Sequence, residues 1–174
     1  SGLVNSRFIS NEYGSIFWAH NDSKPSGEAP NVIYAFNQDG QDLGRLILEP
    51  ELSQRDWEDM ATDNDGNLYI GEIGDNNASN DTKYVYKCPE PDPDSPGNYT
   101  IECESYAFDS GVRYDSETLM VDTNGDIYVC YRSQFATNND GGIAKVDNQG
   151  LSSQFSVENT DLTEIEIQGD KLVL

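Results

Sequence analysis

The chain has 174 residues, of which 32 are acidic and 10 basic, giving a formal charge of −22. Such a surface disfavours nucleic acid and anionic membranes and attracts cations or basic partners, although acid that merely keeps a secreted protein soluble is a competing reading. No apolar run approaches the ~20 residues of a membrane span.

The first unit in chain order runs from Ser1-Gly2 to a turn at Gly14 and returns as Ser15-Ile16-Phe17-Trp18. Asn31 to Phe36 then reads as a third strand that turns at Asn37-Gln38-Asp39-Gly40 and restarts at Leu43. The second unit repeats the scheme more clearly. Glu58 starts a short apolar strand, Asp63-Asn64-Asp65-Gly66-Asn67 turns it, and Leu68-Tyr69-Ile70 returns. The third copy runs from Glu117 through Gly125 to Ile127-Tyr128-Val129, and a fourth begins at Asp161 and turns at Gly169. In these three close copies the acid precedes the glycine by eight residues, so Glu58, Glu117 and Asp161 are expected at equivalent positions.

The turn glycines 14, 66, 125 and 169 are separated by 52, 59 and 44 residues. That period is too long for a two-strand solenoid coil and suits a four-stranded propeller blade made of two hairpins in series. No segment keeps a helical period, and alternating Tyr, Ile and Val broken by Gly, Asn and Asp indicates an all-β fold. The expectation is a single partial β-propeller domain over 1–174, of four-stranded antiparallel blades. Blade 1 covers about 1–50, blade 2 about 56–108, blade 3 about 115–157, and a fourth starts at about 161–174. Three and a half blades cannot close a ring, so the remainder of the propeller, as further C-terminal blades or a second chain, is the first expected partner.

Cys88 and Cys103 flank a Pro-rich loop almost symmetrically, which places them face to face at the base of a third-to-fourth-strand hairpin and predicts a disulfide. Cys130 lies inside an apolar strand and is expected to be a free thiol. Sequons occur at Asn21, Asn77, Asn80 and Asn98, and the last three sit in polar loops where a glycan fits. These features together point to a secreted, extracellular glycoprotein.

Blade geometry gathers scattered acids. The residues before each first strand and after each second strand emerge on one face, at the mouth of the central channel. Asp22, Glu58, Asp59, Asp75, Asn76 and Glu117 are therefore the candidate ligands of a hard cation such as Ca2+, which binds carboxylate, amide and backbone oxygens. Pairing of an acid with Arg132, or a solvated acidic rim, are the alternatives. Asp63 to Asn67 looks like a calcium loop but lacks its distal glutamate and reads as a hairpin turn, as does Asp122 to Asp126.

Ser1-Gly2-Leu3 with Ser6-Arg7, Trp18-Ala19-His20-Asn21-Asp22-Ser23, Asp56-Trp57-Glu58-Asp59-Met60-Ala61 and Ile73-Gly74-Asp75-Asn76 resemble motifs of a group of secreted, mostly bacterial β-propeller proteins. That group carries SGL…SR, W-x-HNDS, DWED and IGDN signatures. Tyr86 to Pro91 resembles its PEP strand end, while Glu72 departs from the usual Asp. More distantly, the layout is similar to phytase-like and gluconolactonase-like propellers, which implies Ca2+ at the channel mouth. Two function classes follow. One is an extracellular binding or structural module for a protein or glycan partner. The other is a calcium-dependent hydrolase of phosphoester, ester or lactone substrates, with His20 or a carboxylate as general base and Arg132 offsetting developing charge.

Overall fold

The computed structural model describes residues 1–23, 31–77, 79–92, 94–95, 97–109, 114–133, 141–146, 157–158, 166–168 and 171–173. Among them there is no helix, and the strands assemble into sheets that are antiparallel except at one outer edge. Strands β1 (Leu3–Ser10), β2 (Gly14–His20), β3 (Val32–Asn37) and β4 (Asp42–Glu49) form a meander. A second meander contains β5 (Trp57–Thr62), β6 (Asn67–Glu72), β7 (Thr82–Pro89) and β9 (Glu104–Asp109). The third contains β10 (Tyr114–Val121), β11 (Ile127–Ser133), β12 (Gly141–Val146) and β13 (Val157–Glu158). A last hairpin joins β14 (Glu166–Gln168) to β15 (Lys171–Val173). Among the described residues the sheets do not close into a ring or barrel.

The turns form for local reasons. Gly66 and Gly125 hold φ of 83° and 80°, a conformation that costs a glycine nothing. Asp63 Oδ1 accepts the N–H groups of Asp65 and Asn67, both at 2.9 Å, while Tyr69 Oη donates to its Oδ2 at 2.9 Å. Asp122 Oδ1 accepts those of Asn124 and Asp126 at 2.8 and 2.9 Å. Both segments are hairpin turns whose aspartate is engaged by backbone amides. The first strands of the second and third meanders each carry a register shift: between Trp57 and Met60 in β5, and between Ser116 and Thr118 in β10. Glu58 and Glu117 sit within these bulges, at matching positions. Asp161, the third member of the series, lies outside the described residues.

Alternation along β6 shows how the sheets stack. Leu68 and Ile70, both fully buried, join Trp57, Met60 and Tyr86 against Ile16, Trp18, Ile33 and Leu46 of the first sheet. Tyr69, between them in sequence, points the other way and packs with Val85 and Phe108 against Leu119, Ile127 and Val129 of the third sheet. A strand buried on both faces reads as a continuous apolar run, as Leu68-Tyr69-Ile70 does. The first strands of consecutive units are neighbours: β5 lies beside β1 on one side and β10 on the other.

A disulfide joins Cys88 to Cys103, and Cys130 is a free, half-buried cysteine. Closing a loop of this size contributes about 3 kcal/mol in the chain-entropy view. The chain between the two cysteines is more than a hairpin loop, however. Its residues Asn98–Glu102 form β8, which leaves the second sheet and pairs in parallel with β4 at the outer edge of the first. Asp94 fixes the path by accepting from Ser10 Oγ at 2.8 Å and the Asn11 N–H at 2.7 Å, and Trp18 Nε1 donates to Glu90 Oε1 at 2.7 Å. Hydrogen bonds to a distant sheet leave no trace in local sequence pattern, which is why the sequence suggests a simple hairpin.

Candidate metal centre at the acidic end of the sheets

The segment after β2 runs alongside the start of β5: the Trp57 N–H donates to the Asp22 carbonyl at 2.7 Å. The segment after β6 returns to the same place, with the Gly74 N–H donating to the Asp56 carbonyl at 3.2 Å. These two backbone contacts bring Asp22, Asp56 and Glu58 together, with one carboxylate oxygen from each within 4.8 Å of the others. The chain's first nitrogen stands 3.7 Å from Glu58 Oε2.

Three acids so close repel one another. Burial, together with the charges of Glu117, Asp56 and Asp22, pushes the Glu58 carboxyl up to about 7. Asp56 is raised by burial first and then by Asp22 and Asp115. Gly74 makes room for the group. A Cβ at that position would stand 2.5 Å from Asp56 Oδ2 and 2.6 Å from Glu58 Oε1. Hard carboxylate oxygens gathered against bare backbone are the donors an oxygen-seeking divalent cation takes, so the chemistry of the residues present fits Ca2+.

The other sequence-predicted ligands have different surroundings. Asp75 is buried and ion-paired with Lys83 at 2.9 Å, and it also accepts the N–H groups of Ser79 and Asn80. Burial alone would raise its pKa, but Lys83 and these amides outweigh it and hold the carboxyl down at about 2. Asp59 bridges β5 and β10: Oδ1 accepts the Met60 N–H and Oδ2 the Leu119 N–H, each at 2.9 Å. Asn76 lies at the edge of the triad, its amide 3.5 Å from Asp56 Oδ2. Glu117 is exposed and acts on Glu58 through its charge. The structure thus gathers Asp22 and Glu58, adds Asp56, and engages Asp75 and Asp59 within the fold. The signal for Asp56 was present in the Asp-Trp-Glu-Asp run. For Lys83, nine residues beyond Gly74 on another strand, sequence held none.

His20 is 4% exposed. Its ring packs edge-on to Trp57 at 5.4 Å, and Nδ1 lies 3.0 Å from the Asn21 carbonyl, which as an acceptor places the proton on Nδ1. Nε2 faces Gly2, where a Cβ would stand 2.6 Å from it, and makes no hydrogen bond among the described residues. Burial lowers its pKa and keeps it neutral. Arg132 lies on β11 opposite Asp115 in register. Of the sequons, Asn77 and Asn98 are exposed, whereas the Asn80 amide accepts from Arg55 Nη1 at 2.6 Å and donates to Asp75 Oδ1 at 3.1 Å.

No family model, curated protein or solved structure matches this chain. Among the described residues no helix is long and apolar enough to cross a membrane.

Proposed function

We propose that this chain supplies consecutive blades of an acidic, extracellular β-propeller, a binding or structural module with a Ca2+-type cation where its inner strands converge. The observation that carries the reading is the convergence of Asp22, Asp56 and Glu58 within 4.8 Å. Support for the propeller comes from three four-stranded meanders stacked face to face, with β1, β5 and β10 adjacent in order. A bound cation would neutralise the triad, and neighbouring units would share its ligands because no single unit offers six to eight oxygens. The resemblance to secreted propellers agrees with the Cys88–Cys103 disulfide, a bond that persists in oxidising compartments. An extracellular protein or glycan is the partner class, approached through the loops around the acidic end.

The binding module is favoured over a hydrolase with His20 as its base by the position of that residue. A general base must reach substrate through hydrogen-bond distance, and this imidazole is buried beneath Gly2 and Trp57.

Calcium titration by calorimetry tests the reading. Saturable binding is expected, with Kd in the ~0.1–1 mM range of extracellular modules. At about 100 times Kd the ion stabilises the fold by about 2.7 kcal/mol. Glu58→Gln should lower the melting temperature in calcium and leave it unchanged or higher in chelator, since it removes a ligand in one case and a repulsion in the other. Equal wild-type melting temperatures in calcium and in chelator would sink the cation site.

A further inference from the structure

The outer face of the first sheet carries exposed apolar side chains. Leu3 is 60% exposed, Ile9 75% and Ile47 43%. Beside them Phe17 and Phe36 stack on each other with ring centroids 5.7 Å apart, half-buried, and Tyr34 lies under Arg45 at 5.3 Å. Strand register puts these side chains on one face: Leu3 is opposite Ala19 and Ala19 opposite Tyr34, while Phe17 is opposite Phe36. The other face of the same sheet, with Ile16, Trp18 and Ile33, already packs on the second sheet.

The second sheet shows what such a face is for. There Trp57 is opposite Glu72 and Glu72 opposite Tyr84, while Ile70 is opposite Tyr86. These rungs correspond one to one with Leu3–Ala19–Tyr34 and Phe17–Phe36. Within the second sheet the equivalents are closed off: Trp57 and Ile70 are 0% exposed and Tyr86 2%, because the first sheet lies over them. The first sheet therefore repeats the register of an interface surface while leaving Leu3, Ile9 and Ile47 exposed.

We propose that this face is an intramolecular docking surface for a further blade of the same polypeptide. That blade presents a face patterned like Ile16, Trp18, Ile33 and Leu46. The inference rests on the stacked-blade reading above. Both sheet-to-sheet interfaces in the described residues join successive units of one polypeptide, by the same pairing of unlike faces. A heterologous contact of this kind closes a ring where its rotation allows and otherwise continues as an open array.

Hydroxyl-radical footprinting tests it on two samples, the native protein purified from its source and residues 1–174 expressed alone. Leu3, Phe17, Phe36 and Ile47 should be labelled freely in the expressed chain and fall to the labelling level of Ile70 and Tyr86 in the native protein. Intact mass should show that the native polypeptide exceeds residues 1–174. Labelling of the outer face at equal rates in both samples, with Ile70 and Tyr86 protected, overturns this inference and leaves the stacking intact. Labelling of Ile70 and Tyr86 as well overturns the stacked-blade reading itself. Protection that appears only with rising concentration and a dimer mass assigns the face to a second copy, and overturns the intramolecular blade.

Discussion

At the scale of single residues, the acidic end divides into carboxylates that the fold neutralises and carboxylates that it does not. Asp75 belongs to the first class, with Lys83 beside it, both side chains almost wholly buried at 1% and 2% exposure. Removing one partner of a buried pair leaves an uncompensated charge, so Lys83→Met should cost about 3–5 kcal/mol in urea denaturation near neutral pH. Lys83→Met with Asp75→Asn should recover part of that loss; a double variant showing the sum of two independent losses would contradict the coupling. The pair also sets an acid limit. Asp75 titrates at about 2 when folded, below its ordinary 3.8, so it binds fewer protons in the folded state. Its contribution is present above about 3.8 and is lost as pH falls from there towards 2. Glu58 has the opposite sign. Its folded value of about 7 lies above the usual 4.5, so without a cation its contribution falls as pH rises through that window.

At the scale of elements, the β4–β8 pairing depends on one glycine. Gly44 has φ of +123°, and a Cβ there would stand 2.1 Å from the Gly97 carbonyl oxygen, which accepts the Arg45 N–H at 3.1 Å. Gly40 also has positive φ, 77°, but a Cβ would meet nothing within 4 Å. Gly44→Ala therefore adds a backbone collision to the conformational strain that both positions share, of order 1–3 kcal/mol. Thermal unfolding should show Gly44→Ala as the more damaging change, with faster hydrogen exchange along Asn98–Glu102. Equal melting temperatures for the two variants would mean that β8 contributes little to the first sheet. The half-buried Trp18–Glu90 contact and the Cys88–Cys103 bond hold the same segment from its other end.

At the scale of the whole molecule, the charge of −22 works against compaction, and much of it lies on exposed residues. Salt screens such repulsion over a Debye length of about 10 Å at 0.1 M. In chelator, the melting temperature should climb as NaCl is raised from ~10 mM to ~150 mM; a fall would show that attractive pairs such as Lys83–Asp75 and Arg55–Glu72 outweigh the net charge.

Sequence by itself determined the local grammar. The acid-to-glycine repeat placed β5–β6 and β10–β11 and their turns, because a positive-φ glycine and an aspartate that accepts the following amides act within a few residues. It also paired Cys88 with Cys103, since a loop symmetric about its centre brings its ends together. Tertiary structure alone decided what is non-local: that β8 joins a different sheet, and that Lys83 neutralises Asp75 while Asp56 stands with Asp22 and Glu58. It also decided that Leu68 and Ile70 face one sheet while Tyr69 faces another. Each of these depends on distance between residues far apart in the chain, and Coulomb energy, desolvation and packing are set by that distance, which no spacing along the sequence encodes.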